Sequence, residues 1–245
     1  MRVNVRCLLL RPAALLSVAL VAGCPVRPHA PAAAAPTSPG PAAHLGTPFE
    51  IAAAESLLTI RVYKGGALAA AGHNHLVASH ALGGTIYVPA DVLRTSFEVR
   101  VPVDSLTVDE AALRTAEHSS DFPPDVPDSA REGTRRNMLG EALLDGARFP
   151  QIVLRALALA PLQPPAPGGA IAHVQASVRG EAHEFSVPVR YEHSGGTVTV
   201  TGQTTLRQTD LGLRPFTAML GALQVQDEMH LRFTLVAHAP GAAPR

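Results

Sequence analysis

Along Leu223–His238, apolar and polar side chains alternate without a break in phase. Leu223, Val225, Met229, Leu231, Phe233, Leu235 and Ala237 hold one set of positions. Gln224, Gln226, Glu228, His230, Arg232, Thr234, Val236 and His238 hold the other. Successive side chains of a strand point to opposite faces, so the pattern predicts one long strand with an apolar face and a solvated face. At about 3.3 Å per residue it would span roughly 50 Å, a length suited to a strand that curls around a barrel. Asp227 is the exception on the apolar side. A carboxylate there needs a partner or water. It is expected to orient a ligand or act as a base, to meet an inward arginine, or to cap a turn.

Upstream segments repeat the pattern. Ser56–Tyr63 alternates and is broken by Lys64-Gly65-Gly66, and Gly83-Gly84 opens Thr85–Val88. Phe97, Val99, Val101 and Val103 face one way in a half-buried strand, with Pro102 pointing to an edge or a non-bonded position. Gln151–Leu159, Ala170–Arg179, His183–Glu192 and Thr197–Gln208 follow, separated by Gly- and Pro-containing turns. Only Asp109–Gly146 changes period: a helix over Ala130–Leu144, capped by Ser129, would place Met138, Leu139, Ala142 and Leu143 on an apolar stripe. About eight strands at short spacing predict an all-β fold, an antiparallel barrel or sandwich with one helical insert.

Composition sharpens this picture in two places. The net charge is zero and the arginines are scattered, so the sequence offers no basic surface for nucleic acid. Both cysteines, Cys7 and Cys24, precede the strands, so the fold has neither a disulfide framework nor a cysteine-based zinc site to draw on. Arg2 and Arg6 lead into an apolar run whose unbroken part, residues 13–23, falls short of the roughly 20 residues of a membrane-spanning helix. The run ends in Leu20-Val21-Ala22-Gly23-Cys24, which resembles a bacterial lipobox. That resemblance implies cleavage of residues 1–23, lipidation of Cys24, and a place in the cell envelope, on the periplasmic side or at the outer membrane. Pro25–Pro48 is rich in Pro and Ala, so residues 24–48 read as an extended tether and residues 49–239 as the domain.

Within that domain, Val101-Pro102-Val103-Asp104-Ser105-Leu106, Phe149-Pro150-Gln151-Ile152, Gln208-Thr209-Asp210-Leu211-Gly212-Leu213 with Pro215-Phe216, and Val225-Gln226-Asp227 occur in a telling order. The order and spacing resemble the YceI-like lipid- or polyisoprenoid-binding family. The resemblance implies a lipocalin-like antiparallel eight-stranded β-barrel with a helical insert, a binding function and no enzymatic activity. Arg135-Arg136-Asn137-Met138-Leu139 sits where the family has Arg-Asp followed by His-Leu. Asn137 thus replaces an Asp, Leu143-Leu144 replaces an aromatic pair, and Gly72-His73-Asn74-His75 departs from the common pattern.

A barrel of about eight strands holds either a filled core or one slim ligand. If open, its wall would include Phe97, Val99, Phe185, Val187, Leu231 and Phe233 and would accept an alkyl or isoprenoid chain, at roughly 0.8 kcal/mol per buried methylene. Arg135, Arg136, Asn137 and Asp227 are head-group candidates, the arginines through charge-assisted bonds. His73 and His75 would share a strand face and could form half of a metal or haem-iron site, completed by His80 or His118; the other reading is a hydrogen-bonding or head-group device. No Gly-x-Ser-x-Gly elbow supports a hydrolase. The expected partners are a lipid or isoprenoid ligand, the membrane reached through the N-terminal lipid, and a second copy in a homodimer. No cofactor is required, with metal or haem the alternative.

Overall fold

The structure, a computed structural model, describes residues 44–241. The lipobox with Cys24, and the tether up to residue 43, lie outside the described residues. Twelve strands run in the order β1 (Thr47–Ile51), β2 (Leu57–Gly65), β3 (His75–Ser79), β4 (Gly83–Val88), β5 (Ser96–Pro102) and β6 (Thr107–Val108), then β7 (Gln151–Pro161), β8 (Gly169–Val178), β9 (Glu181–Ser194), β10 (Thr197–Arg207), β11 (Thr217–Ala218) and β12 (Leu223–His238). Helices α1 (Ala111–Ala116) and α2 (Asp128–Leu139) lie between β6 and β7.

The ring closes through eight of these strands, β1-β4-β5-β7-β8-β9-β10-β12, in antiparallel pairs. Closure comes from β1, which pairs with β4 on one side and with the end of β12 on the other, Glu50 opposite His238 and Ile51 opposite Ala237. This is the antiparallel eight-stranded barrel that the alternation and the family resemblance implied. Farther along β12, Gln224–Thr234 pairs with β2, which carries β3 and then β6 outward as a second flap of wall.

Inward-facing side chains follow the strand period. In β8, Ala170, Ala172, Val174, Ala176 and Val178 are buried, and every residue between them is less so. Strand β9 separates from β10 beyond the Val189–Gly202 pair, where Pro188 has no N–H to offer the ladder. Gly84 needs its missing Cβ: at φ +126° a side chain there would strike the Glu98 carbonyl.

Buried apolar residues form three groups around the axis. The largest joins the flap and the insert: Val77, Leu82, Val101, Val103, Leu106, Met138 and Leu144. A second, Phe49, Ile86, Val198 and Ala237, closes the end at which β12 finishes. Ala172, Val174 and Val187 form a third in the wall between them.

Three local expectations need correction. α2 stops at Leu139 rather than Leu144, because Gly140 leaves helical geometry and the Leu144 and Gly146 N–H groups turn back to the Met138 and Leu139 carbonyls. Ser129 lies inside the first turn and is not the cap, a place taken by Pro127. β1 begins at Thr47, so Thr47 and Pro48, read as the end of the tether, are strand. β3 escaped the alternation test because Leu76, Val77, Ala78 and Ser79 are all buried, as in a strand covered on both faces.

Candidate ligand-binding cavity

Small inward residues leave the barrel hollow. Ala172 and Ala176 face the axis from β8, and Gly202 of β10 is capped by the Phe233 ring, which a Cβ at 202 would meet at 2.5 Å. The resulting cavity measures about 680 Å³, within the usual range for small-molecule sites. Phe97, Val99, Phe185, Val187, Leu231 and Phe233 all line it, together with Ile86, Leu154 and Met229. Among the described residues that line it there is no Asp or Glu.

Polar lining groups occur toward both ends: Thr95, Tyr191 and His193 near the end at which β12 finishes, and a larger set at the rim of the opposite end. Lys64 comes from β2, His73 from the loop before β3 and His75 from the start of β3, Ser129, Thr134 and Asn137 from α2, and Gln208 and Gln224 from the segments flanking β11. The Lys64 ammonium donates to the Gly72 carbonyl at 3.0 Å. Asn74 braces the turn, accepting from the Lys64 N–H at 3.0 Å and donating to the Asp121 carbonyl at 3.1 Å.

Behind this rim lies a buried charged cluster that the sequence reading missed. Asp109 is 0% exposed and its backbone is left-handed at φ 55°. Its carboxylate accepts from His75 Nδ1 at 2.6 Å, from the Leu76 N–H at 2.8 Å and from Arg114 Nη1 at 2.5 Å. Burial pushes the Asp109 carboxyl up, but the His75 and Leu76 hydrogen bonds and the His75 and Arg114 charges outweigh it and hold it below the usual carboxylate range. Arg114, 1% exposed, also donates to the carbonyls of Asn74 (2.8 Å) and Pro123 (2.6 Å) and lies over the Phe122 ring. The only sequence signal was an Asp followed five residues later by an Arg, and Asp109-Glu110 before Ala111-Ala112 reads simply as a helix start.

His75 Nε2 lies 3.3 Å from the Thr134 hydroxyl of α2, so the imidazole joins the buried cluster to the rim. His73 is exposed, its ring centroid 6.2 Å from that of His75. His80 is turned to Glu110 at 3.2 Å, and His118 occupies a left-handed turn after α1. The expected completion of a histidine metal site does not occur: among the described residues, no group of three or more His, Cys, Asp or Glu is placed to hold an ion. The physical reason is placement: His80 is turned away to Glu110 and His118 lies in the turn after α1, so neither completes a set with His73 and His75.

The head-group candidates separate. Arg135 donates to the carbonyls of Leu106 (3.0 Å) and Asp104 (2.5 Å), fastening α2 to the loop after β5. Arg136 is exposed and does not line the cavity, whereas Asn137 does. Asp227 accepts from the Thr209 N–H (2.9 Å) and hydroxyl (2.6 Å) and so caps the turn after β10. The Thr209 hydroxyl bond is the main cause holding its carboxyl below the usual range, against a smaller opposing effect of burial. In the turn between β11 and β12, Met219 and Leu220 adopt left-handed backbone, and the Leu220 side chain is wholly exposed.

Comparison with known proteins accounts for nearly all of the domain. A family model described as YceI-like domain matches residues 49–237. Among solved structures, Burkholderia cenocepacia BcnA shares 16% identity and a TM-score of 0.55, covering 76% of this chain and 99% of its own. A polyisoprenoid binding domain from Saccharophagus degradans, implicated in plant cell wall breakdown, shares 12% identity at a TM-score of 0.49, with 78% of this chain and 98% of that one covered. The Campylobacter jejuni YCEI protein shares 6% identity at a TM-score of 0.45, with 64% and 80% covered. No curated protein sequence matches the chain.

Proposed function

The chain belongs to the YceI-like domain family, and we propose on that premise that it is a binding protein that carries an amphiphile with a long apolar or isoprenoid tail in its barrel. The observation that carries this reading is the 680 Å³ cavity walled by Leu, Val, Ile and Phe side chains, with no Asp or Glu among its lining residues. A tail lying in the cavity gains roughly 0.8 kcal/mol per methylene buried, so ten or more carbons outweigh the cost of ordering it. The family resemblance supports binding rather than turnover.

A lipid on Cys24 would tether this carrier to the cell envelope, with residues 24–43 as the leash. Two or three acyl chains on one residue hold it there durably, where one would not. The wholly exposed Leu220 stands three residues before Leu223, which lines the cavity, and would offer an apolar tip to a bilayer from which a tail enters.

Native mass spectrometry of the chain from Thr47 onward, purified without detergent, tests the reading. A retained mass of several hundred daltons that is extracted by organic solvent, and is lost in Leu231→Trp, is the expected result. A bare mass in the wild type that no isoprenoid or fatty chain shifts would overturn it.

A further inference from the structure

Exposed large apolar side chains are few among the described residues, and they are unevenly placed. Leu157 lies on β7, while Leu45 precedes β1 and Leu93 follows β4, at the end where β12 finishes. Leu93 stands there between Asp91 and Arg94. At the opposite end, Leu68 and Met219 are 45% and 69% exposed and Leu220 wholly so. Two loops bring them together through main-chain bonds. The Leu68 N–H donates to the Ala222 carbonyl at 2.8 Å, the Ala222 N–H donates to the Met219 carbonyl at 3.1 Å, and Gly65 pairs with Gln224. Neither Gly65–His73 nor Pro215–Gln226 contains an Asp, Glu, Lys or Arg. The same loops give Ala71, Gly72, Phe216 and Leu223 to the cavity lining, so the uncharged tip is continuous with the cavity wall.

We propose that this two-loop tip is a docking surface for a neutral lipid bilayer, with the Leu68, Met219 and Leu220 side chains entering the interface together. This deepens the carrier reading, on which its purpose rests, by naming the surface that meets the membrane. A contiguous exposed apolar patch marks contact with a protein or a membrane. Three side chains, one of them less than half exposed, fall well short of the about 800 Å² per partner of a stable protein interface. A bilayer needs no such area and no paired polar rim, and loops without charge ask for no anionic head group. Met219 and Leu220 stand out from the turn on left-handed backbone, at φ 52° and 56°. Such strain in non-glycine residues collects at functional sites, and here it carries side chains that gain nothing by packing. A chain held by a lipid on Cys24 can present this end. Residues 24–46 reach at most about 80 Å, more than the roughly 50 Å of β12 that separates Leu223 from the end where β1 starts.

The chain contains no tryptophan, so one introduced indole reports only its own surroundings. Leu220→Trp and, as the control on the wall, Leu157→Trp are made in the full-length chain and reconstituted in phosphatidylcholine nanodiscs. The discs are prepared with and without bromine on the acyl chains at about 5–10 Å depth, where an interfacial apolar face comes to rest. Leu220→Trp should emit to the blue of Leu157→Trp and lose most of its intensity to the bromines, while Leu157→Trp keeps its own. Adding Leu68→Ser and Met219→Ser should restore most of the Leu220→Trp emission. Equal quenching of the two indoles, an unquenched Leu220→Trp, or quenching that survives the two serines overturns the docking tip. No ligand enters this readout, so it fails separately from the carrier reading. A chain that retains a tail in native mass spectrometry while position 220 stays unquenched loses the tip and keeps the carrier.

Discussion

The strand wall and the insert between β5 and β7 are built on different physics. In the wall, a period of two decides which side chains face the axis, as the alternating burial of β8 shows. The same alternation yields the cavity, so the structural and functional patterns coincide. The insert has no such period. It is held by the apolar group around Val103, Leu106, Met138 and Leu144 and by arginines that reach main-chain carbonyls: Arg114 to Asn74 and Pro123, Arg135 to Asp104 and Leu106. A wall made by alternation tolerates exchange of one apolar side chain for another. In the insert, the buried Asp109–Arg114 pair makes single charged groups costly to remove, because each would leave the other unpaired.

The largest expected effect therefore lies in the insert. Arg114→Met leaves the Asp109 carboxylate buried without its cation and frees the two carbonyls, and loss of one partner of a buried pair costs about 3–5 kcal/mol. A urea midpoint followed by far-ultraviolet circular dichroism reads this directly. A loss below about 1 kcal/mol would show that the insert does not depend on its ion pair.

Next in size is a contrast between two enlargements. Val103 is 1% exposed and packs within 2.9 Å of where a Cβ on Gly146 would stand, so Val103→Leu should cost about 1–3 kcal/mol through overpacking. Leu231→Trp grows into empty space instead and should cost about 1 kcal/mol or less, while removing room for the tail. Paired thermal melts and ligand titrations check both. Equal destabilisation would mean that the cavity wall is as tightly filled as the insert.

A graded effect is expected with acid. The folded Asp109 carboxyl titrates below its ordinary value of 3.8. Its contribution to stability is then fully present above about pH 4 and is lost as the pH falls through the lower, folded value. The stability difference between wild type and Asp109→Asn should shrink as the pH falls below about 4. Chemical denaturation across that range measures it, and a difference that grows toward acid would contradict the sign of the shift.

What the sequence made legible follows the same division. The final strand, Leu223–His238, was readable to its ends because each residue states its face. All six wall candidates could be named for the same reason, and they border the cavity. β3 was illegible because it is buried on both faces, and the Asp109–Arg114 cluster because its members join segments that only the fold brings together. The histidines drew attention by their spacing, yet His75 takes its orientation from Asp109, 34 residues away, and spacing carries no trace of that. Asp227 was weighed as ligand, base, arginine partner or cap, and only the bulge between Val225 and Met229, with Thr209 beside it, decides for the cap.

The smallest effect separates the rim from both regions. Leu220 sits at φ 56° and ψ 34°, directly after Met219 at φ 52°, with its side chain wholly in solvent. A left-handed backbone costs a branched residue roughly 1–2 kcal/mol, and a solvated leucine recovers none of it by packing. Leu220→Gly should therefore raise stability by about 0.5–1 kcal/mol, after allowing for the greater freedom of glycine in the unfolded chain. If the exposed leucine serves entry of a tail from a bilayer, the same substitution should slow loading from vesicles while leaving the equilibrium affinity for the loaded ligand unchanged. Stopped-flow transfer of a fluorescent 15-carbon isoprenoid from neutral phosphatidylcholine vesicles separates these quantities. A stabilised variant that loads at the wild-type rate would reduce Leu220 to a strained turn residue with no part in uptake.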